Sequence, residues 1–379
     1  MIIRLLVPWM YHLPFGPVYT CAFPGGHAGF SLLSMPARLL LGFVIALCGS
    51  LVAVYLNLPL PWMLGALVAT AATKIGGVRS ESRTALRCAG QWVLGVGLGL
   101  YFTPAVIEEI ARNILPLMAG AMFAVVLGLA GAWFLRRATG VEFSTAFFSS
   151  TIGGAAEMAN LSDRYGGKVS LVASAHSLRI LLVVVLVPLG FRLSGVNGTG
   201  VFAPAVQQVD PAGLAILFAL GAGGALLAQR FQIPNAWVLG PMAVTILLTS
   251  QEMALSAMPS FLINGAQLMI GWSLGDRYRP DFFKTAPRFM MFILVYTLIA
   301  ITLAIGVGAI LSRLSDISVP TLILGLAPGG VAEMCLTAKV LQLGVPLVTA
   351  FQVFRLACVL LVSGPLYRIL LRHFPALAA

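Results

Sequence analysis

Charge is what this sequence has least of. Of its 379 residues 23 are basic and 12 acidic, against a hydrophobic share of 59%. So few charged groups cannot cover a water-soluble surface of this size, which excludes a soluble domain and makes the bilayer the solvent. Histidine is almost missing, with four in the chain and two of them within residues 1–35. The cysteines Cys21, Cys48, Cys88, Cys335 and Cys358 show no CxxC spacing, which argues against a disulfide framework and against a zinc site. No nucleophile–base set stands out, so neither an enzyme nor a bound cofactor or metal is expected. The net charge of +11 would point to nucleic acid in a soluble chain. Here the basic residues fall in short loops between apolar runs, where the positive-inside bias accounts for them, and no nucleic-acid partner is expected.

What the sequence does have is a repeat. Gly153-Gly154-Ala155-Ala156-Glu157-Met158 returns as Gly329-Gly330-Val331-Ala332-Glu333-Met334, each copy placing one carboxylate after a glycine pair in an apolar stretch. Pro59, Trp62, Leu64, Gly65 and Thr70 match Pro234, Trp237, Leu239, Gly240 and Thr245 at an offset of 175. At 176, Gln91, Gly95, Leu98, Gly99 and Pro104 match Gln267, Gly271, Leu274, Gly275 and Pro280, and Arg179 matches Arg355. An ordered series of this kind marks an internal duplication. The expected divisions are an N-terminal tail at 1–35, which reads as loose or as a start placed too early, a membrane repeat at 36–193, a linker at 194–211, a second repeat at 212–373 and a tail at 374–379.

Each half carries six apolar segments, at 38–57, 62–77, 86–102, 115–135, 143–162 and 169–191, then 213–229, 236–250, 262–275, 289–312, 319–338 and 345–369. Loop charge sets their direction. Lys74, Arg79, Arg83 and Arg87 follow the second segment and Arg136-Arg137 the fourth, whereas Glu108 and Glu109 follow the third. In the second half the bias reverses, with Arg277, Arg279, Lys284 and Arg288 after the third segment. The fold expected is therefore an all-α polytopic membrane protein of two inverted repeats. It has about ten transmembrane helices plus two broken segments that re-enter from opposite faces; a variant in which the broken segments cross stays open. The chain is expected in a bacterial cytoplasmic (inner) membrane with its C-terminus in the cytoplasm.

The broken segments hold the candidate substrate- or ion-binding site. Unwound backbone at membrane depth is tolerated only where protein or a water-filled cavity satisfies it, and Gly153, Gly154, Gly329 and Gly330 allow unwinding and close approach. A half-helix starting there aims free N–H groups at an anion. Glu157 and Glu333 are either proton or cation sites, or carboxylates that cap their own helices or pair with arginine. Arg179 and Arg355 either make that pair or bind an anionic substrate. His176 packs, relays a proton, or as an imidazolium favours an ionised Glu157. Gln91 and Gln267 line the site or bond between helices, and the glycines beside them serve helix packing.

The paired Leu-Pro-x-x-Trp-x-Leu-Gly pattern at 58–65, with its counterpart from Ile233 to Gly240, and the two Gly-Gly-x-Ala-Glu-Met segments resemble the AbrB-like bacterial membrane proteins over about residues 36–372. Members of that family carry the labels ammonia monooxygenase and AbrB family regulator. The resemblance thus implies, as an alternative, a membrane regulator or sensor influencing gene expression. The residues themselves favour a secondary transporter of a small solute, such as an organic anion coupled to protons or cations. The partners expected are the bilayer and that solute or ion, with room for a homodimer.

Overall fold

A computed structural model describes residues 35–196, 208–253, 255–278 and 286–374. Most of the 1–35 tail, the middle of the 194–211 linker, Arg279, Pro280, Lys284 and the end of the C-terminal tail lie outside the described residues. Every regular element among the described residues is a helix, and there are fifteen. The first half runs α1 (Met35–Tyr55), α2 (Pro61–Ile75), α3 (Thr84–Gly99), α4 (Pro104–Arg112), α5 (Ile114–Thr139), α6 (Phe143–Ser150), α7 (Ala155–Arg164) and α8 (Val169–Leu193). The second runs α9 (Pro211–Arg230), α10 (Ala236–Ser250), α11 (Ser260–Gly275), α12 (Pro287–Ser312), α13 (Val319–Leu326), α14 (Val331–Val340) and α15 (Val345–His373).

Six helices are long and apolar enough to cross a membrane, namely α1, α5, α8, α9, α12 and α15, or seven if α3 and α4 are one span bent by 88°. That is fewer than the ten spans expected from the sequence. The difference lies in α2, α3, α10 and α11, which have only 15 or 16 residues each, below the roughly 20 that a hydrocarbon core of about 30 Å requires. Helix α4 replaces what reads as an outward loop. Pro104 starts it, Val106 is buried, and Arg112 pairs with Glu108 at 2.6 Å on the exposed side, an amphipathic pattern.

The two halves are interlocked through glycine. Gly49 of α1 and Gly65 of α2 touch backbone to backbone, and a Cβ on either would collide with the other's carbonyl; Gly224 of α9 and Gly240 of α10 repeat the contact. Beyond these pairs the halves exchange helices. A Cβ on Gly95 or Gly99 of α3 would strike Val238 or Thr245 of α10, and one on Gly271 or Gly275 of α11 would strike Met63 or Thr70 of α2. Close approach of small residues is what holds helices together where lipid removes the hydrophobic incentive. One body is thus α1–α3 with α9–α11, and a second joins α5 to α15 and α12 to α8 around the short helices. Between them α14 lies on α3, α4 touches α10 and α15, and the Tyr278 hydroxyl donates to the Ser177 carbonyl at 2.9 Å.

Replacing Gly65 or Gly240 by leucine forces the crossing apart and should cost about 2 kcal/mol or more, as overpacking does. Thermal unfolding in detergent should show a lowered midpoint for each. Gly223→Leu, with open space at its Cβ position, should leave the midpoint unchanged.

Candidate functional site

Helices α6 and α7 are separated by residues 151–154, and α13 and α14 by 327–330. In each case the chain doubles back. The Lys168 N–H after α7 donates to Thr145 Oγ1 near the start of α6 at 2.8 Å, and the Gly344 N–H donates to Thr321 Oγ1 at 3.2 Å, equivalent residue for equivalent residue. Both broken segments are therefore helical hairpins with their ends together and their tips inside the bundle.

The Gly-Gly-x-Ala-Glu-Met motif builds the returning arm. Gly154 and Gly330 are N-caps with φ of −67° and −80°, so they are not glycine for the sake of a left-handed backbone. Space is the reason. A Cβ on Gly154 would occupy the place of the Glu157 carboxylate, and one on Gly330 that of Glu333. Each carboxylate folds back to accept from its own backbone N–H, satisfying one donor that the first helical turn leaves over. The preceding glycines, Gly153 and Gly329, lie against Met158 and Met334, with Cε 2.8 and 3.0 Å from a Cβ built there.

The arginines serve the outgoing arm. Arg355 donates to the carbonyls of Ala327 at 2.6 Å and Gly329 at 2.9 Å and to Gln352 Oε1 at 2.7 Å, while Gln352 Nε2 donates to Leu324 O at 2.7 Å. Arg179 faces the carbonyls of Ser149, Ser150 and Thr151 at 3.2–3.4 Å. The His176 ring sits between Phe148 O at 2.9 Å and Arg179 Nη2 at 2.8 Å. These guanidinium groups close the carbonyl ends of α6 and α13, where the helix dipole is negative. The Glu–Arg pairing open on the sequence is not made.

His176 takes the packing role among its alternatives, with both ring nitrogens satisfied. A carbonyl cannot donate and a guanidinium cannot accept, so Nε2 carries the proton and Nδ1 is the acceptor. The ring is neutral and directed away from any pairing with Glu157, which replaces the imidazolium expected beside that acid. Gln352 performs the same two bonds in the second half with a side chain that does not titrate.

A residue that reads as loop charge, Arg87, bears on both Glu157 and Glu333. Its guanidinium, in the first turn of α3, acts electrostatically on both carboxylates. A cation at a helix N-terminus opposes the dipole, and the two acids offset that. No repeat signal marks it, since Ile263 occupies the equivalent place; the asymmetry itself is the sequence clue. Gln91 lies one turn further along α3. Gln91 and Gln267 are both buried beside the α3–α11 crossing, where a Cβ on Gly90 would meet Ala266 O, and Gln267 Oε1 has no partner. The two acids differ in access: Glu333 is 7% exposed, whereas Glu157 is half-buried beside exposed Ala156 and Asn160. Among the described residues no three His, Cys, Asp or Glu side chains gather as metal ligands.

Because Gln352 shows that an amide can hold the carbonyl and the guanidinium, His176→Gln should keep wild-type thermal stability in detergent. His176→Leu strands Phe148 O and one Arg179 donor and should destabilise by about 1–3 kcal/mol, read as a clear fall in the unfolding midpoint.

Comparison with known proteins gives the family. The family described as "Transition state regulatory protein AbrB" matches residues 62–371. "Putative regulator AbrB" of Escherichia coli (strain K12) is 27% identical over 345 residues, 89% of this chain and 97% of that protein. "Uncharacterized protein YhjN" of Bacillus subtilis (strain 168) is 25% identical over 297 residues, covering 74% and 77% of the two chains. With the matched region running from the second helix to the last, the chain belongs to the AbrB family.

Proposed function

We propose that this protein is a secondary transporter of a small solute, an organic anion coupled to protons or cations. The observation that carries the reading is a pair of hairpins of like build, each turning at a glycine pair and opening its returning helix with a glutamate, with the Arg87 guanidinium acting electrostatically on both acids. Arg87, Arg179 and Arg355 bring positive charge to this part of the bundle, which suits an anion. Protonating a carboxylate adds to that charge, so proton uptake and anion binding favour one another. Glycine-broken helices with their N-termini aimed at a common site are what transporters use at the bilayer midplane. Among the described residues no three His, Cys, Asp or Glu side chains gather, and we keep the reading of a protein that binds and moves a solute.

In this reading the halves are inverted repeats with ten spans, α1, α2, α3, α5 and α8 and their counterparts α9, α10, α11, α12 and α15. The two hairpins enter from opposite faces. The loop charges put Arg83, Arg136 and Arg288 in the cytoplasm of a bacterial inner membrane, together with the C-terminus. The printed names of the family and of its Escherichia coli member favour a second reading, a membrane regulator influencing gene expression, in which the same site senses a solute without moving it.

Cysteines placed at Arg83 and Arg288 should be labelled from the cytoplasmic side alone, and one at Gln208 from outside; labelling of Arg83 and Arg288 from opposite faces overturns the inversion. In proteoliposomes, a metabolite panel with and without an imposed pH gradient should reveal gradient-driven flux of an organic anion. Glu333 is buried where Glu157 is only half-buried, so it is the acid whose proton can be carried across. Glu333→Gln should keep solute exchange and lose gradient dependence, while Glu157→Gln weakens solute binding. Binding without flux for every solute would favour the sensor.

A further inference from the structure

The two hairpins are built alike but seated differently. Helix α14 lies along α3, with Ala332 6% and Leu336 0% exposed. The matching positions on α7, Ala156 and Asn160, are exposed, and α7 has no comparable seat on α11. The exposed stripe of α7 continues through Asp163 and Arg164, and such a row of polar groups belongs against water and not lipid. The stripe runs out to the hairpin's own end, where Lys168 is also exposed. At the far end of α14, Lys339 stands over the Tyr101 ring at 5.7 Å, tying the hairpin to the end of α3. Carried through the 176-residue offset, Lys339 becomes Asp163 and Tyr101 becomes Arg277. The place of a cation on a ring is taken by an acid and a base, yet no ion pair joins Asp163 to Arg277 here.

We propose that Asp163 and Arg277 are the two halves of a cytoplasmic closing contact, formed when α7 seats on α11 as α14 now seats on α3. The contact Lys339–Tyr101 holds the outer side shut in the present arrangement, and Asp163–Arg277 holds the inner side shut in the opposite one. The two are alternatives because each requires its hairpin to lie against the body of α1–α3 and α9–α11, and one positively charged site is reached from one side at a time. This rests on the transport reading above for its purpose, but the geometry is tested without any solute.

In membranes, Asp163→Cys with Arg277→Cys should cross-link under oxidation, as should Tyr101→Cys with Lys339→Cys. Locking the first pair should protect a cysteine at Asn160 from a membrane-impermeant thiol reagent and open one at Leu336 to it from outside; locking the second should do the reverse. Charge reversal supplies a variant free of cross-linking. D163R or R277D should shift the Asn160 labelling rate upward by about fivefold, the ratio an ordinary exposed ion pair supports, and the double reversal should restore it. Cross-linking at Tyr101–Lys339 with none at Asp163–Arg277, or labelling of Asn160 unchanged by either reversal, overturns the proposal while leaving transport by another route intact. Both cross-links with no flux of any solute would instead retain the closing contact and remove the transporter.

Discussion

Backbone oxygens left over where a helix stops inside a bilayer are the constraint on which the rest of this structure depends. Water cannot reach them at that depth, and lipid offers no donors. At the ends of α6 and α13 the answer is a guanidinium from the neighbouring long helix, held in register by a His or a Gln one turn before it. With the carbonyl ends closed by fixed positive charge, the amide ends of α7 and α14 remain to be satisfied. Their own glutamates fold back over glycine to close one donor apiece.

The duplication separates scaffold from chemistry. Where equivalent residues make equivalent bonds, as Thr145 and Thr321, Arg179 and Arg355, or His176 and Gln352 do, the role is to hold a hairpin. A histidine whose counterpart is glutamine is doing what glutamine can do. Where the halves part company, the difference lies along the α3–α14 and α7–α11 faces: Arg87 against Ile263, Asn160 against Leu336, Asp163 against Lys339. Those are the positions at which the two halves stop being interchangeable.

Much of this is legible without coordinates, because a glycine pair beside an acid, repeated at constant offset, has few physical explanations. The helical class, the broken segments and the packing role of Gly95, Gly99, Gly271 and Gly275 follow from composition and spacing. Three things do not. The doubling back of the hairpins depends on Thr145 and Thr321, hydroxyls that look like any others in an apolar run. Arg87 lies 70 residues from one glutamate and 246 from the other, so nothing in its neighbourhood announces that it bears on both. Helix α4 hides because its apolar face is one turn wide and bracketed by charges, which by composition reads as loop.

The exchange of α3 and α11 between halves bears on how the chain is made. Gly95 and Gly99 find their seat on Val238 and Thr245, which leave the ribosome nearly a half-chain later. At ordinary rates of synthesis that delay is on the order of ten seconds. For that interval the first repeat is inserted but incomplete, its glycine groove lined up against lipid or against the insertion machinery. Neither half can complete its packing alone, because the glycine seats of each lie on helices of the other.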